Sequence, residues 1–123
     1  MNVVNLDSKL ALIKDYWKPH IVGTVNDSLV KLVKLTGDFV WHHHDAEDEM
    51  FLVIRGTLRM RTRVWGREQE DVVGPGEFII VPRGVDHLPI ADAEVHVLLF
   101  EPQTTVNTGS AGGPRTVTEL PQL

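Results

Sequence analysis

Seven short runs rich in β-branched and apolar residues follow one another along the chain: HIVGTV (20–25), LVKLVKL (29–35), FVWHHH (39–44), EMFLVI (49–54), TLRMRTRV (57–64), EFIIV (77–81) and EVHVLLF (94–100). Turn signals separate them, at Asn26-Asp27, Thr36-Gly37-Asp38, Trp65-Gly66, Gly74-Pro75-Gly76 and Pro82-Arg83-Gly84. Many short strands with close turns and no helical pattern between them predict an antiparallel all-β sandwich or barrel, not an α/β fold. The one helical pattern precedes them. Asp7 or Ser8 is placed to cap a short helix with Leu6, Leu10, Ile13 and Trp17 on one face, ending near Pro19.

A chain of 123 residues fits one domain, read as a helical segment over 1–19, a barrel over about 20–101 and an arm over 102–123. The arm is irregular in character, rich in Thr, Asn, Ser and Gly between Thr104 and Gly113. No cysteine is present, so disulfides and thiolate sites are excluded and any metal must be held by nitrogen and oxygen. No apolar run approaches the ~20 residues that span a bilayer, so no membrane partner is expected. Asp7, Lys9 and Lys14 interrupt the N-terminal apolar residues as no secretion signal would, and a cytoplasmic address is the default expectation. The net charge of −5 argues against nucleic acid as a partner, although five of the seven arginines cluster between Arg55 and Arg67.

The segment WHHHDAEDEM, Trp41 to Met50, sets three of the six histidines beside four carboxylates. In an extended chain alternate side chains share a face, so His42 and His44 project together while His43 points away. By the same parity Glu49 heads the row that continues with Phe51 and Val53, which face a core. A carboxylate in such a row must be neutralised, paired or bound to a metal. A metal meets the need, but so does a solvated hairpin end on which these groups pair loosely. A further histidine, His87, follows the Pro82-Arg83-Gly84 turn, where a rigid bend would aim it at a fixed point.

Together these residues resemble the paired motifs of the cupin superfamily, in its small single-domain conserved-barrel form. The first motif reads GDFVWHHHDAEDEMFLVIRG from Gly37 to Gly56, with His42, His44, Glu49 and Gly56 in register and the spacer after Gly37 one residue short. In the second, Gly76, Pro82, Gly84 and His87 match, and Ala91 stands where the family has an asparagine. The resemblance covers roughly residues 28 to 101. It implies an antiparallel double-stranded β-helix, a jelly-roll barrel, holding one divalent transition metal (Fe, Mn, Ni or Zn) on His42, His44, Glu49 and His87. Asp48 fits a shorter family spacer, but its parity points it away from the row of Phe51 and Val53. His43, Asp45 and Glu47 read as rim residues, and His20 and His96 as structural.

Arg59, Arg61 and Arg63 alternate with Leu58, Met60 and Thr62. Gly56 is placed to break the parity inherited from Glu49, which puts the arginines on a solvated outer face. Otherwise Arg59 reaches in, beside Phe51, to meet an anionic substrate. In LVKLVKL, Leu29, Val33 and Leu35 share one face and Val30 and Leu32 the other. Both faces want cover, and a second subunit would supply it, as the family's habit of dimerising implies.

Three classes of function follow. The first is a metal-dependent enzyme, of dioxygenase, lyase or isomerase type, acting on a small oxygenated acid. The second is a non-catalytic small-molecule cup, and the third a structural protein with a vestigial site. Fold alone does not choose among them.

Overall fold

The computed structural model describes residues 1–123 as one helix, α1 (Leu6–Leu10), and seven strands: β1 (His20–Val25), β2 (Ser28–Asp38), β3 (Glu49–Arg55), β4 (Leu58–Val64), β5 (Arg67–Val73), β6 (Phe78–Val81) and β7 (Asp86–Pro102). Every strand pairing between them is antiparallel. β7, 17 residues long, is the spine. β2 runs along one of its edges, while β4 takes residues 86–90 of the other and β3 takes residues 96–100. β1 extends the sheet beyond β2, β6 beyond β3, and β5 beyond β4. These three outer strands each have one neighbouring strand, so hydrogen bonding does not close the barrel into a ring. No helix is long and apolar enough to cross a membrane.

The corner of the fold lies where β7 passes from β3 to β4. Leu35 faces Val95 and Gly37 faces Ala91 across β2 and β7, so residues 92–94 bulge against the single residue Thr36. What the sequence presents as a turn at 36–38 is therefore a bulge inside a longer strand. On the other edge of β7 the β3–β4 connection crosses the same corner at Gly56, whose φ is +84°. A Cβ there would lie 2.6 Å from the Glu94 carbonyl oxygen. Gly56 also resets the alternation, as expected: Glu49, Phe51 and Val53 are buried on β3, but Leu58, Met60 and Thr62 on β4. Gly56→Ala is expected to destabilise the fold by at least about 2 kcal/mol, from left-handed strain plus a clash with backbone. Gly84, with φ +80° and open space where a Cβ would go, is the control, with about 1 kcal/mol expected for Gly84→Ala. Urea midpoints measure both, and equal losses would remove the packing part of the account.

The core gathers inward residues of β2, β3, β4 and β7, among them Val33, Leu35, Phe51, Val53, Leu58, Met60, Val97 and Leu99. A smaller cluster lies on the opposite face, where Leu10 and Ile13 pack on Leu32, with Ile54 and Leu98 beside them. The chain's own N-terminus thus covers the outward face of β2 at Leu32, which the sequence offered to a second subunit.

Several expected elements take other forms. The helix is one short turn pair capped by Asn5, whose Oδ1 accepts from the Ser8 N–H at 2.9 Å, not by Asp7 or Ser8. FVWHHH is not a strand; only a His42–His87 bridge forms, yet His42 and His44 are buried and His43 is half-buried, so the alternation survives. β5, REQEDVV, is a strand with almost no inward residue, and it escapes pattern reading because it pairs at an edge with both faces polar over most of its length. The arm after Pro102 is irregular but not free. Ile21 donates its N–H to the Pro121 carbonyl and accepts from the Leu123 N–H, tying the arm to β1.

Candidate metal centre

Three irregular or strand-end segments bring the site together. The His42–His87 bridge exchanges both backbone hydrogen bonds, at 3.1 and 2.8 Å, and pins the histidine segment to the start of β7. Glu49 opens β3 and faces inward. His42, His44, Glu49 and His87 are all buried, His87 completely, and each offers a ligand atom within 4.8 Å of the others.

The imidazoles are held by their far nitrogens. His42 Nδ1–H donates to the Val40 carbonyl at 2.8 Å and His87 Nδ1–H to the Val85 carbonyl at 2.9 Å. A carbonyl only accepts, so the proton sits on Nδ1 and each Nε2 presents a lone pair to the cluster. Burial, and next the neighbouring His87, lowers the His42 pKa to about 4, which keeps its ring uncharged at neutral pH. His87 Nε2 and His44 Nε2 stand 3.3 and 3.4 Å from Glu49 Oε1. His44 Nε2 is buried without a hydrogen-bond partner. Lone pairs and a carboxylate converging in a buried space repel one another unless a cation lies among them. The orphaned His44 nitrogen and the nitrogen–oxygen donor set both fit a divalent transition ion.

Beside the cluster a small open-mouthed cavity is lined by Trp17, Phe39, Phe51, Leu99, His42, Glu49, Glu101 and Asn107, with Pro and aliphatic residues completing the wall. Trp17 and Phe39 stack with centroids 4.8 Å apart, and Phe39 meets the His42 ring edge-on at 5.3 Å. Under this wall lies a buried ion pair, Lys31 Nζ to Glu101 Oε1 at 2.8 Å. Glu101 Oε2 has no hydrogen-bond partner. Burial opposes the charge on both Glu49 and Glu101. The facing Glu101 carboxyl and the neighbouring His44 and His87 rings nonetheless hold Glu49 well below the usual carboxylate range. Burial and the facing Glu49 push Glu101 well above it.

Of the residues singled out from sequence, the four candidate ligands converge and Phe51 lines the cavity. Asp48 lies outside, accepting the Arg83 N–H at 2.9 Å. Arg59 does not reach in: its guanidinium is clasped on the outer face by Asp92 at 2.8 Å and Glu70 at 2.6 Å, because Leu58 and Met60 take the inward side. His20 donates to the Lys18 carbonyl and His96 pairs with Glu94, both away from the centre. Ala91, at the family's asparagine position, is fully buried in the core. His43 sits at the rim between Asp45 and Asp86 and touches Ser110 Oγ of the arm. Gly109 of the arm passes so close that a Cβ would lie 2.2 Å from the His43 carbonyl oxygen and 3.0 Å from His44 Nδ1.

Sequence reasoning missed Lys31, Glu101, Trp17, Phe39 and Asn107 as wall residues. A signal for two of them was present. Lys31 shares strand parity with Val33 and Leu35, and Glu101 with Val97 and Leu99, so each is a charge in an inward row.

The model of the family described as "Cupin domain" matches residues 28–101. A cupin-2 domain containing protein from Shewanella frigidimarina has a solved structure that superposes with TM-score 0.77 at 38% identity, over 82% of this chain and 95% of that one. The "Uncharacterized protein YdbB" of Bacillus subtilis is 28% identical over 85 residues, 67% of this chain and 73% of that protein. Hydroquinone 1,2-dioxygenase from Sphingomonas sp. TTNP3, solved with 4-hydroxybenzoate bound, shares the fold with TM-score 0.72 at 19% identity, over 80% of this chain but 31% of that one.

Proposed function

The chain belongs to the cupin domain family, and from that premise we propose that it is a metal-dependent enzyme of dioxygenase, lyase or isomerase type acting on a small oxygenated molecule. The observation that carries the reading is the buried convergence of His42, His44, Glu49 and His87, with His44 Nε2 left without a partner beside an aromatic-lined cavity. A hydroquinone 1,2-dioxygenase that shares the fold was solved with the small oxygenated molecule 4-hydroxybenzoate bound, which agrees with this reading.

A divalent transition ion in this donor set supplies Lewis-acid polarisation of an oxygen donor and, if it is iron, redox chemistry with dioxygen. The chain's own residues do the rest. Val40 and Val85 carbonyls fix the ring orientations of His42 and His87. Phe51, Leu99 and the Trp17–Phe39 stack exclude water from the reacting side. No arginine or lysine lines the cavity, and Arg59, the residue expected to meet an anionic substrate, is held on the outer face by Glu70 and Asp92.

The test is metal analysis of protein purified without an affinity tag, followed by separate loading with Fe(II), Mn(II), Ni(II) and Zn(II). Each form is then offered diketones, hydroxy acids, enols and phenols while dioxygen uptake and product are followed. Metal-dependent turnover is expected. Saturable binding without product under every metal would leave a non-catalytic cup, and turnover surviving metal removal would end the metal reading.

We also propose that two copies pair through the outer face of β6, β3 and β7. There Ile80, Met50 and Phe100 form one cross-strand row and Phe78, Leu52 and Leu98 the next, with Phe78 and Ile80 more than half exposed. Sizing is expected to give twice the 13.8 kDa chain mass for the native protein and the monomer mass for Ile80→Lys. A native monomer at high concentration would end this proposal.

A further inference from the structure

Two buried features of the cavity lie outside the set of four candidate ligands: the pair of Lys31 and Glu101, and the unpartnered Glu101 Oε2. Both side chains are 2% exposed. A buried ammonium–carboxyl pair withdrawn from water gains little over apolar packing, so it is weakly explained by stability. A buried acceptor without a donor is a further cost. The cost is explained if a bound molecule brings the missing partner. Lys31 fixes the orientation of the carboxyl group by holding Oε1 and leaves Oε2 for that contact.

The rest of the wall restricts what the molecule can be. Trp17, Phe39 and Phe51 offer flat faces and edges, which favour a planar ligand. The lining has no cation of its own, and its polar groups apart from His42 and Asn107 are the two carboxyls of Glu49 and Glu101. Arg115 is exposed, with its guanidinium 5.6 and 5.7 Å from the Trp17 and Phe39 centroids, and is not part of the lining. A carboxylate on the ligand would meet no partner among these residues, whereas a hydroxyl would.

We propose that Glu101 is a ligand-contact residue, and that the molecule taken at this centre is a flat, uncharged ring with one oxygen toward the His42–His44–Glu49–His87 cluster and a hydroxyl on Glu101 Oε2. The proposal deepens, and rests on, the reading of the cluster as a ligand-binding metal centre. Asn107, anchored by the Val117 N–H at 2.8 Å and the Arg115 carbonyl at 2.7 Å, closes the cavity from the arm side and is a positioning residue only.

The experiment titrates the three dihydroxybenzenes, each against its monomethyl ether, and benzoate, into manganese-loaded and metal-stripped protein, following heat and tryptophan fluorescence. Native protein is expected to favour at least one diol over its ether by about 10-fold or more, since a site built to meet a hydroxyl rejects the analogue lacking it. In Glu101→Gln, Lys31 retains the amide oxygen and turns the NH2 group to the cavity, so the preference is expected to fall to about twofold or reverse. Lys31→Met with Glu101→Leu removes both charges at similar volume and is expected to bind the ethers while losing the preference. A native protein with no preference in any pair, or a preference unchanged in both variants, would overturn the assignment of Glu101. Benzoate binding more tightly than every neutral ring would overturn the uncharged class. Failure of the metal reading shows separately: the preparation then holds no metal and the loaded and stripped forms bind alike, while the diol-to-ether ratio still judges Glu101.

Discussion

His87→Ala protein is expected to emerge from dialysis with less than about one tenth of the metal that the native chain retains. His87 is fully buried, its Nδ1–H is committed to the Val85 carbonyl, and its Nε2 stands 3.3 Å from Glu49 Oε1. Losing a partner that merely orients a ligand typically weakens metal binding about 10–100-fold, and losing a ligand should cost more. The cavity left by the ring also admits water to the remaining donors. Elemental analysis after dialysis against a chelator measures the effect. His96→Ala, which removes a buried histidine paired with Glu94 outside the cluster, serves as the control and should leave metal content unchanged. Equal retention by the His87 variant and the native chain would remove His87 from the site.

The second large effect concerns stability. Glu101→Leu leaves the Lys31 ammonium buried without its one hydrogen-bond partner and is expected to cost about 3–5 kcal/mol, a large share of what holds a fold of this size together. Adding Lys31→Met should return most of that loss, because apolar side chains of similar volume replace a buried pair at little net cost. Denaturant unfolding of the two variants reads the difference directly. If the single change costs no more than a surface substitution, the pair is better hydrated than its burial implies.

Much of the site was legible in the sequence because strand alternation is a strict rule. His42 and His44 on one face, and Glu49 in the row of Phe51 and Val53, follow from a period of two whether or not the histidine segment forms a regular strand. Gly56 carried the second legible fact, since a break in parity there moves Leu58 and Met60 inward and sends Arg59 out. What the sequence concealed was mostly long-range. Nothing local says that Trp17, on an N-terminal segment, stacks on Phe39, or that Gly109 closes over His43 and His44. β5 was hidden for another reason: an edge strand with polar residues on both faces carries no hydrophobic alternation. Lys31 and Glu101 were visible as charges in inward rows, but their partnership needed β2 and β7 to be seen side by side.

The dominance of β7 bears on how the molecule comes into being on the ribosome. Before residues 86–102 have emerged, the nascent chain holds only three separate pairs, β1 with β2, β3 with β6 and β4 with β5, and no strand that joins them. β2, β3 and β4 meanwhile present unpaired edges bearing Val, Leu and Ile side chains, the kind of surface on which chains associate wrongly. His87 arrives with the same strand, so the donor set is incomplete throughout this interval. The fourth donor therefore joins His42, His44 and Glu49 only as the spine that joins the three strand pairs is itself added.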